Sequence, residues 1–572
     1  MNLHKSLFYL LPLLFWSCAN RVPPKGGPKD VTPPKLIGSI PKTGSINVKA
    51  NEITLLFDEQ IVVKNIKKEL LITPRIESDY TYKTKKNTFI LSLEEPLDSA
   101  TTYTFNFREA IGDITEGNPA QNLIVAFSTG PVLDTLQVTG KVMDLLTEKP
   151  EKDIIVGLYK ADDTLYLFNS PPYYLAQTNK NGDYTFRNIK SDNYKIFAFK
   201  DKNNNLICQS DRESYAFLDS LIRLDSNFVA RNLQLQTLNI DSIKLKRTRS
   251  SGHYFYVIAN KGLLSSQLKA GNDSTLWFSY GEGRKEIKIY NTFSIKDSLL
   301  VSVTMTDSLY QSRTDSFYLS FPETQRSRDD FETNIKDILI TPESKEITFT
   351  LSASKPIQTF LTDSIYIRLD TLEQIFFDSV WSIEANESRT RFECKNYLPK
   401  QYLDSLNLAP AVASSRASGK NRLAPSNNEQ TSKKRAKSSF QLVLPISSLI
   451  SIESDTSKRL EQSLKPRYSK DYGVFMGKIS TDLQNFTIQL LDKDFNIADE
   501  LHNPGKHYKF VYITPGDYSI RILIDENNNG RWDPGNILLN QLPEPIFIYK
   551  NQEGISKTTI RANWEISLDL NF

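Results

Sequence analysis

Apolar residues recur at every second position over short stretches along most of this chain, with turn-forming residues between them. LIGSIPKTGSINV (36–48), EITLLFDEQIV (52–62), NTFILSLEEPLDSATTYTFNF (87–107) and NLIVAFSTG (122–130) set the pattern. Period two is the signature of half-buried β-strands. Similar strands follow in HYFYVIAN, STLWFSY, SLLVSVTMT, KEITFTLSASKPI and SIYIRL. Long apolar stretches with a helical period are hard to find, so the chain is expected to be all-β: several sandwiches in series.

The punctuation supports this reading. Asn181-Gly182 is a strong hairpin signal. Asp-Ser recurs before apolar residues at 297–298, 307–308, 315–316, 363–364 and 378–379, where both side chains can bond backbone groups and fix turns. There is also an internal repeat. YKIFAFKDKNNN (194–205) aligns without a gap on YSIRILIDENNN (518–529), each a strand running from Tyr to Asp into an Asn-rich loop. At 572 residues several domains of ~100–150 residues are expected. The pattern divides the chain into 36–130, 135–245, 246–325, 330–408 and 439–572.

Two stretches lack periodicity. Residues 19–35, ANRVPPKGGPKDVTPPK, read as a semi-extended tether. Residues 409–438 read as a disordered loop, with seven basic side chains against Glu429. Such a loop is a bland linker or an attachment point for acidic polysaccharide, lipid headgroups or a partner.

Before the tether stands MNLHKSLFYLLPLLFWSC, an apolar run too short to span a bilayer, which needs about 20 residues. It reads as a removed secretory signal (1–18). The chain has 70 basic and 67 acidic residues, so no global field favours nucleic acid. Its three cysteines are Cys18, Cys208 and Cys394. With Cys18 modified, one disulfide at most is available, and buried small hydrophobes are the plainer reading of the other two.

Three resemblances attach to these residues. The Cys18 segment resembles a bacterial lipoprotein lipobox, which implies lipidation of Cys18, each buried CH₂ adding about 0.8 kcal/mol of membrane affinity. Pro41-x-x-Gly44, Phe57-Asp58-Glu59, Pro96-Leu97, Asp113, Gly117-Asn118 and Phe127-Ser128-Thr129-Gly130 make 36–130 similar to bacterial Ig-like domains of the SbsA type. LQVTGKVMD with NGDYTF and NYKIFAFKD makes 135–245 similar to carboxypeptidase-regulatory or transthyretin-like sandwiches, and the repeat extends that likeness to 439–572. Together they imply an Ig-like-domain lipoprotein of the Bacteroidota type, anchored in the outer membrane through acyl chains. The residues after Cys18 carry no acidic export cluster, which leans towards the periplasmic face without deciding it.

Candidate chemistry is sparse. Asp525, Asn527, Asn529 and Asp533, with Gly530, place oxygens at positions 1, 3, 5 and 9 of a calcium-type loop. Asn536 stands where the bidentate Glu belongs, so any calcium would bind weakly, and an Asx-rich turn over Trp532 is the simpler reading. The copy at Asp201, Asn203 and Asn205 lacks the Gly and has Gln209 at position nine. His253, His502 and His507 read as surface residues, the last two flanking a turn with no carboxylate nearby. Glu94-Glu95 reads as a solvated face. No G-x-S-x-G, H-E-x-x-H, Walker loop, C-x-x-C or G-x-G-x-x-G occurs. The expectation is a non-enzymatic protein without a cofactor, a binding or scaffold subunit of an outer-membrane complex with a protein partner there. The alternatives are a glycan-binding or adhesion surface lipoprotein and, remotely, a hydrolase.

Overall fold

The computed structural model describes residues 29–162, 164, 166–226, 229–270, 274–292, 298–341, 343–368, 374–377, 379–398 and 441–572. Cys18, the signal, most of the tether and the basic stretch 409–438 lie outside the described residues. The fold is all-β, as the alternation predicts. Among the described residues no helix exceeds four residues, and none is long and apolar enough to cross a membrane. The described chain falls into two compact units. One comprises residues up to 142, 151–207 and 220–233; the other comprises 143–150, 208–219 and 234–572.

The first unit begins with a sandwich over residues 36–128. One sheet orders its strands Leu36–Ile40, Glu52–Phe57, Thr88–Leu93 and Tyr80–Lys85; the facing sheet orders Leu71–Thr73, Thr102–Asn106 and Ile124–Ser128. Alternation puts Ile53, Leu55, Phe57, Phe89, Leu91 and Leu93 inward, against Tyr103, Phe105, Val125 and Phe127. At one end Asp113 is fully buried and ties a turn, accepting backbone N–H groups from Glu116, Gly117 and Asn118 and the Thr115 hydroxyl. Gly117 sits there at φ +75°, left-handed backbone that disfavours other residues.

A second sandwich follows in the same unit. Leu136–Asp144 pairs antiparallel with Asp183–Ile189 and parallel with Val229–Ala230. Ile155–Lys160 lies between Tyr174–Gln177 and Asp192–Phe199, and the last of these also takes Ile222–Leu224. Ile155, Val156, Leu158 and Tyr159 are all buried, so the central strand is covered on both faces. The two sandwiches join through Arg75 N–H to the Tyr173 carbonyl (2.9 Å) and the Asn188 amide to the Asp134 carbonyl (3.0 Å). Asn181-Gly182 does form a turn, with Gly182 N–H bonded to Asn179 O, but it is not a hairpin. Its flanking strands belong to different sheets, so the chain crosses the sandwich there.

The second unit holds three further sandwiches. In the third module, Leu245–Ser251, Tyr254–Ala259, Glu286–Tyr290 and Phe278–Tyr280 face Ser265–Ala270, Leu299–Thr306 and Ser312–Leu319 around a core including Phe255, Val257, Val303 and Met305. Asp315-Ser316 lies inside Ser312–Leu319 rather than at a strand start, Asp315 pairing with Arg313. Asp307 does cap a turn, accepting Leu309 and Gln311 N–H, and also holds Lys261 at 2.5 Å in a buried pair.

The fourth module corrects a boundary. Gln441–Leu444 pairs with Tyr366–Arg368, Leu449–Ser451 with Ile357–Phe360, and Lys465–Pro466 runs parallel to Thr333–Thr341. Residues 441–466, assigned from the sequence to the C-terminal unit, therefore complete the sandwich begun at 333. The core joins Ile347, Phe349, Phe392 and Trp381 to Leu442, Leu444 and Leu449. The aperiodic basic stretch interrupts one sandwich instead of separating two. Cys208 and Cys394 are both buried, and neither is joined in a disulfide. Burial beside Glu393 pushes the Cys394 thiol up to about 12.

The third and fourth modules are bound by two acidic residues. Glu387 accepts Ser266 N–H (3.0 Å) and the Tyr280 hydroxyl (2.9 Å). Glu453 sits between Lys355 at 2.7 Å and the Tyr254 hydroxyl at 3.3 Å.

The fifth module repeats the second. Gly473–Ser480 pairs antiparallel with His507–Ile513 and parallel with Glu565–Ser567; Phe486–Leu491 lies between Ile497–His502 and Gly516–Ile524, which also takes Thr558–Ile560. Seven strands thus share one order in both modules, well beyond the twelve residues whose sequences align. Gly140 and Gly477 occupy equivalent places on the first strands. A Cβ there would lie 1.7 Å from Arg231 O or 1.9 Å from Leu568 O, so the close parallel partner requires glycine. Tyr184 and Tyr508 donate to those same carbonyls at 2.6 and 2.8 Å. Tyr194 and Tyr518, which open the sequence repeat, each donate to the carbonyl four residues back, Lys190 and Thr514.

Candidate binding surfaces and the Asn-rich loops

The Asn-rich loop after Gly516–Ile524 brings all four predicted residues together. Asp525 accepts the N–H groups of Asn529 (3.0 Å) and Gly530 (2.8 Å). Asp533 accepts the side-chain amides of Asn527 (2.8 Å) and Asn529 (2.6 Å) and the guanidinium of Arg531 (3.0 Å). Burial works against ionisation of Asp533, yet these donors hold its carboxyl below the usual range. Glu544, which sequence reasoning missed, closes the loop by accepting Asn527 and Asp533 N–H, at 3.0 and 2.8 Å. Trp532 donates to the Glu544 carbonyl and anchors the same segment.

The donor chemistry suits a hard cation, but every one of these carboxylates already receives loop N–H groups, and Arg531 stands at Asp533 where a cation would compete with it. Arg531 also stacks on Tyr310, its guanidinium carbon 3.3 Å from the ring centroid, so the loop fastens the fifth module to the third. The N-terminal copy has the same Asx geometry: Asp201 accepts Asn205 and Leu206 N–H, as Asp525 accepts Asn529 and Gly530. Among the described residues no three His, Cys, Asp or Glu side chains converge as a metal site.

The histidines are dispersed. His253 bonds the Arg326 carbonyl at 2.8 Å. His502 is exposed, with Nδ1 2.9 Å from the Thr487 hydroxyl and Nε2 3.6 Å from Glu500. This corrects the expectation of no carboxylate nearby: Glu500 lies two positions before His502, and period two brings both to one face of the strand. His507 is exposed at the start of the next strand.

A cleft of about 400 Å³ opens between the two sandwiches of the first unit. Its lining includes Ile76, Pro96, Leu97 and Tyr173 together with the charged Arg75, Glu77, Glu95 and Lys160. Lys160 lies over the Tyr173 ring at 4.4 Å. The Tyr103 hydroxyl is turned to the Asp98 carboxylate at 3.2 Å; burial, then the Asp98 charge, raises its pKa. Arg75, Glu77 and Glu95 are exposed and make no ion pair to a described residue. Glu95, read from the sequence as part of a solvated strand face, lies just beyond Thr88–Leu93 and lines the cleft. Joining residues 75–98 to 159–173 depends on how two modules dock, a relation no local motif announces.

The family model described as "Bacterial Ig-like domain" matches residues 30–129. No curated protein matches the chain significantly. Similar solved structures include the major pilin subunit BcpA of Bacillus cereus, at 9% identity over 77% of this chain and 99% of that one, with a TM-score of 0.13. Domains 1–6 of the surface layer protein SbsC share 9% identity over 93% of this chain and 67% of that one, with a TM-score of 0.14. A streptococcal ancillary pilin shares 13% identity over 43% of this chain and 77% of that one, with a TM-score of 0.14. Scores this low carry no function across. The first described module is similar to a known family, the bacterial Ig-like domains.

Proposed function

We propose that this chain is a lipid-anchored, non-catalytic protein of the bacterial cell envelope that displays its sandwiches at the cell surface for adhesion and takes a saccharide in the first unit's cleft. The Ig-like match over 30–129 supports envelope display. It offers nothing specific to a scaffold subunit of an outer-membrane complex, so the adhesion reading, second in the sequence analysis, becomes the first. Lipidation of Cys18 and the outer-membrane location belong to this proposal, which takes the cell-surface face against the periplasmic lean of the residues after Cys18.

The cleft is the observation that carries the ligand class. Saccharides are recognised by an aromatic face under the ring C–H groups together with charged side chains that take hydroxyls in pairs. Tyr173, whose ring Lys160 covers on one side, leaves its opposite face for the first element, and Arg75, Glu77 and Glu95 supply the second. Weakly bound calcium at the Asn-rich loops has less support, since their oxygens are taken up by N–H donors.

Glycan-array binding by the full chain tests the reading. Binding that falls at least about tenfold in Tyr173→Ala, as loss of a stacking contact and its hydrogen-bonded neighbours implies, supports it. Absence of any glycan signal, or binding indifferent to both Tyr173→Ala and Arg75→Ala, would sink it.

A further inference from the structure

The outer face of the first module's four-stranded sheet carries exposed aliphatic side chains in two of its rows, beside a polar row of Glu52, Ser92 and Thr81. Register places its side chains in rows. Ile40 lies opposite Thr54, Thr54 opposite Ile90, and Ile90 opposite Lys83. The next row runs Gly38, Leu56, Thr88 and Lys85. Ile40 is 71% exposed and Leu56 41%, although the inward residues Ile53, Leu55 and Phe57 of the same ladder are fully buried. Lys83 and Lys85 are exposed along the edge strand and pair with no carboxylate among the described residues. A patch of aliphatics and threonines bordered by lysines on one side is amphipathic in the way an interfacial element is: aliphatic side chains towards acyl chains, cations towards headgroups.

The chain itself indicates what covers the face. Leu36–Ile40, which forms its edge, is the first described strand and lies 18 residues after Cys18. Fully extended, that length reaches at most about 60 Å, and a tether of ordinary extension reaches less. An anchored Cys18 would therefore keep this module, before all others, beside the bilayer. The two lysines suit its anionic surface.

We infer that this outer sheet face, centred on Ile40, Leu56 and Ile90, rests on the anionic membrane surface and orients the first module there. The inference depends on the lipid anchor proposed for Cys18, and the test separates the two. Full-length lipidated protein carrying Ile40→Cys, labelled with an environment-sensitive fluorophore, is reconstituted on vesicles containing phosphatidylglycerol and lipid-borne quenchers. Cys208 and Cys394 are buried and escape the label. Val380→Cys, at a site 93% exposed in the second unit, serves as the reference.

The inference expects a blue shift and about twofold quenching at position 40, none at 380, and weaker quenching in high salt or in Lys83→Glu/Lys85→Glu. Protein that floats with the vesicles while position 40 stays unquenched leaves the anchor standing and overturns the resting face. Protein that fails to float removes both. A blue shift that follows protein concentration in detergent, without vesicles, assigns the face to a second copy and likewise overturns the inference. Because Ile40 is 71% exposed and outside the buried core, its replacement leaves the fold intact, and Leu56→Cys repeats the measurement independently.

Discussion

Lys355 places its Nζ 2.7 Å from Oε2 of Glu453, and both side chains are closed off from solvent. Asp455 stands at 2.7 Å on the other side of the ammonium, and Tyr254 of the neighbouring module donates its hydroxyl to Glu453. Removing one partner of a buried pair strands the other charge, which costs about 3–5 kcal/mol. Lys355→Met should lower the urea midpoint of the second unit accordingly, and adding Glu453→Leu should restore part of the loss. A cost below about 1 kcal/mol for the single variant would show that the joint does not depend on this pair. Burial favours the neutral Lys355, yet its hydrogen bonds to Asp455 and Glu453 outweigh this and raise its pKa. The stability it contributes is full below pH 10.5 and is lost as pH rises through the folded value.

The duplicated glycines give a second prediction. A methyl group at Gly477 would meet Leu568 O at 1.9 Å, which no side-chain adjustment relieves. Gly477→Ala and Gly140→Ala should each cost about 3 kcal/mol or more in thermal denaturation. Gly530, at φ +89° with open space around its Cβ position, should lose only about 1 kcal/mol on replacement by Ala. Equal effects at the three sites would contradict the close parallel pairing.

Acid should loosen the first module through Asp113. The Thr115 hydroxyl, then the backbone N–H groups of Glu116 and Gly117, hold its carboxyl far below the ordinary 3.8, against its burial. Its contribution is therefore present above pH 3.8 and disappears as pH falls from there through the folded value. Asp113→Asn should destabilise the module at pH 7 and flatten its acid melting curve. An unchanged acid profile would exclude this role.

The Asn-rich loop at 525–544 is closed by its own donors, with Arg531 occupying Asp533. Millimolar calcium should accordingly leave the melting temperature within about 1 °C of that in chelator. A rise of several degrees, abolished in Asp525→Ala, would restore the cation reading.

Much of the fold was legible in the sequence because strands with one buried face alternate strictly, as 52–57 and 88–93 do. What escaped is non-local. The 441–466 strands return to a sandwich begun a hundred residues earlier, across an aperiodic basic stretch that looks like a domain linker. Asn181-Gly182 announces a turn, yet which sheet receives the next strand depends on packing. The Asp525 loop was visible from its spacing, while Glu544 was not, since it arrives eleven residues beyond Asp533. Conversely, the twelve-residue repeat opening at Tyr194 and Tyr518 marks a duplicated module in the sequence alone.

Protease treatment of intact cells, read out with antibodies against the second unit, tests surface display most directly. A displayed adhesion protein held by Cys18 should be degraded while periplasmic markers survive, and Cys18→Ser should abolish its membrane retention. Full protection until the outer membrane is permeabilised would contradict the account.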